Sequence, residues 1–94
     1  MFYETETNDH GMRHDPFKAI VAPRPIGWIG TKGRDGSINL SPYSFFNIVS
    51  DNPKIVMFSS SGRKDSLRNA EETGVFTASL ASRDLADQVN ASSA

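Results

Sequence analysis

Asn39-Leu40-Ser41-Pro42-Tyr43-Ser44-Phe45-Phe46-Asn47-Ile48-Val49-Ser50 is the stretch on which the reading of this chain turns. A half-buried strand alternates apolar and polar residues; this run breaks the alternation at Ser41-Pro42 and again at Phe45-Phe46. Pro42 also lacks the backbone N–H that a central strand position needs. Aromatic faces beside small hydroxyl donors suit a flat ligand with polar edges. The same residues fit a plainer account, with Tyr43, Phe45 and Phe46 as core residues at a barrel corner and Asn47 in a turn. Aromatics serve the core more often than they wall a ligand.

Upstream, Pro23-Arg24-Pro25 forces an extended backbone and excludes helix. Ile26 to Thr31 reads as a strand, with Ile26, Trp28 and Gly30 on one face and Gly27, Ile29 and Thr31 on the other. Asp35-Gly36 is a favoured hairpin dipeptide, so Ile38 to Ser41 is the returning strand. Downstream, Asn52-Pro53 marks a turn, and Ile55 to Ser59 reads as a buried strand. A helix is expected from Ser66 to Thr73, capped by Asp65 or Ser66, with Leu67 and Ala70 as its apolar stripe and Gly74 as its stop. Val75 to Leu80 follows as a strand with Phe76, Ala78 and Leu80 on one face. Ser82 then suits the cap of a second helix, on which Leu85 and Val89 lie four apart.

The polar loop from Ser59 to Ser66 runs into the first of these helices. A helix N-terminus offers unpaired amides and a positive dipole end, which attract phosphate. Three consecutive serines, Gly62, Arg63, Lys64 and Ser66 add hydroxyls, backbone freedom and positive charge. A capped helix after a solvated loop explains the same residues, and the loop does not match the Gly-x-x-x-x-Gly-Lys-Ser/Thr nucleotide motif. Taken together, an aromatic wall and a phosphate cradle in one small sheet suit a phosphorylated flavin.

Composition narrows the field. The chain has 94 residues, 37% hydrophobic and 22% charged, with a formal net charge of −1, so it lacks the basic footprint of a nucleic-acid binder. No apolar run reaches membrane-spanning length. Met1 to Asp15 is polar, without the features of a secretory signal, and reads as a partly ordered arm; a cytoplasmic protein is expected. Cysteine is absent, which removes thiol and Cys-metal chemistry. His10 and His14 are four apart, but Gly11 lies between them and no carboxylate motif surrounds them, so both read as surface histidines. The Asn90-Ala91-Ser92 sequon reads as chance. Any redox chemistry here belongs to a bound cofactor.

Four or five strands, first a hairpin and then alternating with two short helices, suit an antiparallel barrel with helical insertions better than a doubly wound sheet. Such a sheet leaves an edge unpaired, and the last helix has no following strand to pack against. We therefore expect a truncated piece of a larger domain, or a chain that needs a second one to complete it, and in either case not a stable monomer by itself. A cooperative, well-folded monomer in sedimentation would count against this.

Five ordered motifs carry a resemblance. They are Arg24-Pro25-Ile26-Gly27-Trp28-Ile29, Asn39 through Asn47, Lys64-Asp65-Ser66-Leu67-Arg68-Asn69, Glu72-Thr73-Gly74-Val75-Phe76 and Asn90-Ala91-Ser92-Ser93. From Phe17 to Ala94 the chain closely resembles the flavin reductase-like family of FMN-binding split barrels, in the branch of flavoprotein oxygenases and nitrilotriacetate monooxygenase component B. The resemblance implies a mainly β fold, a split β-barrel with short helical insertions, of which residues 16–94 supply the N-terminal half. It implies FMN as cofactor, NAD(P)H as electron donor, a homodimer and a partner monooxygenase. It places Ser41, Pro42, Tyr43, Ser44, Phe45 and Asn47 along the isoalloxazine ring. It places Ser59, Ser60 and Ser61 with Lys64, Asp65 and Ser66 around the ribityl phosphate, and Arg24 at that anion or at the flavin edge. Family domains are about twice this length, so a non-enzymatic flavin carrier, or a fragment unable to complete the site, is the alternative.

Overall fold

The computed structural model describes residues 2–93. Residues 2–15 form turns without helix or strand. His10 is half-buried edge-on against Tyr3, with ring centroids 5.1 Å apart, and His14 is exposed. A short helix that the sequence reading passes over, α1 (Phe17–Ile20), follows Pro16, with the Phe17 amide held by Asp15 Oδ1 at 3.0 Å.

The predicted hairpin forms β1 (Gly27–Lys32) and β2 (Ile38–Tyr43), antiparallel with Gly27 opposite Tyr43 and Lys32 opposite Ile38. Its turn closes with Gly33 N–H donating to Ser37 O at 2.8 Å, and Gly36 takes the positive φ of +89° that the Asp-Gly turn requires. The Ser37 hydroxyl (2.7 Å) and amide (3.0 Å) both donate to Asp35 Oδ1, which holds the Asp35 carboxyl below its ordinary range. β2 continues through Pro42 to Tyr43, two residues beyond the expected end. It can do so because the sheet runs β2-β1-β5, leaving Pro42 on an edge where its missing N–H costs nothing.

The Asn39–Ser50 stretch therefore belongs to two sheets. The chain bends at Ser44-Phe45, and Phe46–Ser50 becomes β3, which pairs with β4 (Ile55–Phe58) in a separate two-stranded sheet. The expectation of a buried strand over Ile55 to Ser59 is corrected here. The strand forms, but Ile55, Val56 and Met57 are exposed, as are Ile48 and Val49 opposite. An apolar run shows that a strand is suited to burial on both faces; it does not supply the layer that covers it. The radius of gyration, 15.9 Å, exceeds the roughly 12 Å of a compact domain this long, in keeping with that open hairpin and the N-terminal arm.

Helix α2 (Asp65–Thr73) ends as predicted, with Gly74 at φ +75° donating its N–H to Ala70 O at 2.8 Å. Its start and its buried face differ from expectation. Lys64 occupies the cap position without a side-chain cap bond; Asp65 sits in the first turn, and Ser66 lies inside the helix. The buried positions are polar, Ser66 and Asn69, with Leu67 and Ala70 only half-buried. These polar groups are paired with the sheet. Asn39 Nδ2 donates to Ser66 Oγ at 2.7 Å, and Asn69 Nδ2 donates to Thr31 Oγ1 at 3.2 Å. Directional bonds, which would be costly to leave unmade, thus fix the helix on β1 and β2.

β5 (Thr77–Leu80) pairs with β1 and is shorter than expected at its start. The last helix, α3 (Ala86–Ala91), follows a 3-10 turn at Arg83–Leu85; Ser82 bonds to Asp84 and does not cap it. Among the described residues the buried apolar side chains are Ile29 and Tyr43. Phe58 joins the sheets by packing tilted against Tyr43 and edge-on against Phe76, each at 4.9 Å between centroids.

At Gly27 the β3–β4 hairpin meets the main sheet through Phe46. A Cβ placed there would lie 2.5 Å from the Phe46 ring. Gly27→Ala is expected to displace Phe46 and to destabilise the fold by about 1–3 kcal/mol, read in a denaturant melt. An unchanged midpoint would show that Phe46 does not rest on Gly27.

Candidate functional site

A cleft of about 530 Å3 opens where the bend at Ser44-Phe45 faces the start of α2. β2 supplies Asn39, Ser41, Pro42 and Tyr43 to its wall. The bend supplies Ser44 and Phe45, and the loop after β4 supplies Ser59 and Ser61. Lys64, Asp65 and Ser66 come from the start of α2, and Lys18 and Ser93 complete the lining. Residues separated by some twenty positions in sequence, the aromatic wall and the polar helix start, therefore share one cavity.

Not every predicted residue belongs to it. Arg24 and Asn47 line a second, mainly apolar cleft of about 350 Å3, which shares Lys18, Ser44, Phe45 and Ser59 with the first. Arg24, which the resemblance places at the anion or at the flavin edge, makes its bonds within the fold beside the second cleft. Its Nη1 donates to the carbonyls of Lys18 and Val21, its Nε lies 3.4 Å from Ser44 Oγ, and its guanidinium sits 5.6 Å from the Phe45 ring centroid. Arg24 thus ties the end of α1 to the bend. Asn47 Oδ1 accepts from the Ile48 amide at 2.8 Å. Ser60 lies in the loop, with its hydroxyl donating to Gly62 O at 2.9 Å.

The aromatic residues both pack and line the clefts, with Tyr43 on the first, Phe46 on the second and Phe45 on both. Tyr43 is 9% exposed and packs on Phe58, and Phe46 rests on Gly27. Phe45 is the half-buried ring at the boundary of the two clefts, with Lys18 Nζ 6.0 Å from its centroid.

The electrostatics favour an anion at the α2 end. With no side chain capping α2, its first amides and the positive end of its dipole remain available. Among the described residues Lys18 and Lys64 form no ion pair, whereas Asp65 is matched by Arg68 at 2.9 Å and Arg63 by Glu71 at 2.6 Å. Arg63 therefore spends its charge on the helix flank rather than in the cleft. Ser66 is 1% exposed, and the Asn39 bond orients its hydroxyl. Sequence reasoning missed Lys18, Asn39 and Ser93 as lining residues. Asn39 lay within the quoted stretch, and its alternation with Ser41 on β2 was the available signal. Lys18 had none, since α1 was not foreseen.

An antiparallel, mainly β chain with two sheets, short helices and a cleft at their junction is half of a split barrel. Residues 21–94 match the flavin reductase like domain, and the chain belongs to that family. Membership implies flavin binding. Relatives include uncharacterized proteins of Aquifex aeolicus (39% identical over 75 residues, 74% of this chain and 38% of that one) and Deinococcus radiodurans (40% over 89 residues, 85% and 39%). YwrF of Bacillus subtilis is 36% identical over 87 residues, 85% of this chain and 42% of its own length. Among solved structures, nitrilotriacetate monooxygenase component B from Bacillus cereus is similar with a TM-score of 0.77 and 27% identity, over 98% of this chain and 48% of that one. The Pseudomonas fluorescens 2-nitrobenzoate 2-nitroreductase shares the fold, with a TM-score of 0.84 at 21% identity, over 100% and 47%. The chain thus spans well under two thirds of each of these proteins. No helix among the described residues is long and apolar enough to cross a membrane.

Proposed function

We propose that this chain carries the FMN-binding face of a flavin reductase-like oxidoreductase, in which NAD(P)H reduces the bound flavin. The observation that carries the reading is the shared cleft, in which the Phe45 wall and the uncapped start of α2 with Lys64 face one cavity. A phosphate is the anion such a helix start accepts, and FMN joins one phosphate to a flat aromatic ring. The residues present fit that group: Ser61, Lys64 and Ser66 with the first α2 amides would hold the phosphate. Ser41, Pro42, Ser44 and Phe45 would line the ring. Ser59 and Asp65 would border the passage between the two ends. When bound, the flavin supplies the hydride-accepting ring; the protein binds it, orients it and excludes water from one side.

The apolar faces of β3 and β4 that this chain leaves uncovered suit association, with the rest of the barrel or with a second subunit, and a homodimer of the complete protein is part of this reading. The similarity to a monooxygenase component supports delivery of reduced flavin to a partner oxygenase, and the chain's composition supports a cytoplasmic setting.

The test is direct. Protein mixed with FMN should perturb the flavin's visible spectrum and, on addition of NADH or NADPH, should deplete absorbance at the nicotinamide band. Flavin binding without nicotinamide oxidation marks a carrier rather than a reductase. No spectral change with FMN would sink the reading.

A further inference from the structure

Trp28 is the single tryptophan of the chain, and it does not line the cleft. Gly27, Ile29 and Thr31 alternate with it along β1 and lie opposite Tyr43, Ser41 and Asn39 of β2, whereas Trp28 lies opposite Pro42. Trp28 therefore projects from the other face of the sheet. Its indole N–H nevertheless donates to Ser92 Oγ at 2.9 Å, across 64 residues of sequence. The Ser92 hydroxyl in turn donates to Val89 O at 2.7 Å. Ser92 thus accepts one bond and donates another, and the end of α3 is tied to β1.

The next residue, Ser93, lines the large cleft. Its hydroxyl donates to Asn90 O at 2.6 Å, and its amide donates to the same carbonyl at 3.1 Å. Both donors are spent, so Ser93 offers the cleft only the lone pairs of its Oγ. Lone pairs repel a phosphate oxygen but accept a hydrogen bond from a hydroxyl. At the α2 side of the same cleft, Lys64 and the helix amides offer donors and positive charge. The cavity is thus differentiated, with donors for an anion at one place and an acceptor for a hydroxyl at another.

We propose that Trp28 is a positioning residue that holds Ser93 on the cleft, through Ser92, as an acceptor for the polyol chain of the ligand. This rests on the flavin reading, whose ligand carries a ribityl chain. Trp28 lies outside the cleft lining, so its influence should be confined to ligands that bear the polyol.

Three probes separate the parts: lumiflavin (ring only), riboflavin (ring and polyol) and FMN (ring, polyol and phosphate). Affinities come from quenching of flavin fluorescence. Trp28→Phe keeps the apolar bulk and removes the N–H. It is expected to weaken riboflavin and FMN by the same factor, about three- to tenfold, the worth of one hydrogen bond, and to leave lumiflavin unchanged. Ser92→Ala should reproduce this, Ser92→Thr should restore it, and the double variant should lose no more than either single one. A merely structural role would weaken all three probes alike and follow the melting temperature. That outcome, or unchanged riboflavin binding, overturns the proposal. Should Trp28→Phe fail to fold, the Ser92 pair carries the same test. If the unaltered protein binds none of the three probes, the flavin reading itself falls. If it binds all three and the variants match it, only this inference falls.

Discussion

Replacing Lys64 by Ala is expected to weaken FMN binding about 10- to 100-fold while riboflavin, which lacks the phosphate, binds as before. Lys64 sits at the cap position of α2, lines the cleft and has no carboxylate partner among the described residues. A charge-assisted hydrogen bond to an anion is worth about 1.5–3 kcal/mol, more than a neutral one, which sets the expected factor. Salt should shrink the difference, because the α2 start is open to solvent and its field is screened. Adding Ser66→Ala should weaken FMN further. It will also loosen the helix, since Ser66 Oγ accepts the Asn39 bond at 2.7 Å; the single Lys64 variant is therefore the cleaner measurement. Fluorescence quenching titrations with both flavins decide it. Equal losses for FMN and riboflavin, or none for either, would place the phosphate elsewhere.

Ile29→Ala is expected to leave the chain largely unfolded. Ile29 is 0% exposed and, with Tyr43, makes up the buried apolar side chains of the described residues. Removing a buried Ile side chain costs about 2–5 kcal/mol, against a total stability of about 5–15 kcal/mol for an ordinary domain. Here the apolar hairpin lies uncovered, so total stability belongs at the low end, and the substitution consumes most of it. Circular dichroism should show the loss as a collapsed melting transition. Ile29→Val should cost only about 0.5–1.5 kcal/mol and keep the transition. A fully retained transition in Ile29→Ala would mean that the sheet's stability lies in its hydrogen bonds rather than in this side chain.

Much of this was legible in the residues because it is local. Asp35-Gly36 defines a turn by its own backbone preferences, and Gly74 stops a helix for the same reason. Strand alternation placed Gly27, Ile29 and Thr31 on one face. What the residues did not reveal is which partners they meet. Ile55 to Phe58 has the composition of a buried strand, yet burial depends on a covering layer that composition does not provide. Asn69 and Ser66 look like helix surface, and only the register of Asn39 and Thr31 beneath them makes them the buried face. The resemblance puts Arg24 at the anion or at the flavin edge, and nothing local shows what its guanidinium holds within the fold. Its bonds to Lys18 and Val21 depend on a four-residue helix too short to leave a periodic signal.

By itself, the sequence determined the hairpin, the helix stop, the mainly β class and the five ordered motifs of the family. Each of these rests on neighbours a few residues apart or on the order of motifs along the chain. The division of Asn39 to Ser50 between two sheets was decided only by the tertiary structure. So were the packing of Tyr43 on Phe58 and of Phe46 on Gly27, the placing of Phe45 between the two clefts, and the arrival of Ser93 in the cleft that Lys64 also lines. The physical reason is that a side chain's role follows from what lies across from it, and that is set by strand pairing and helix docking over long sequence separations.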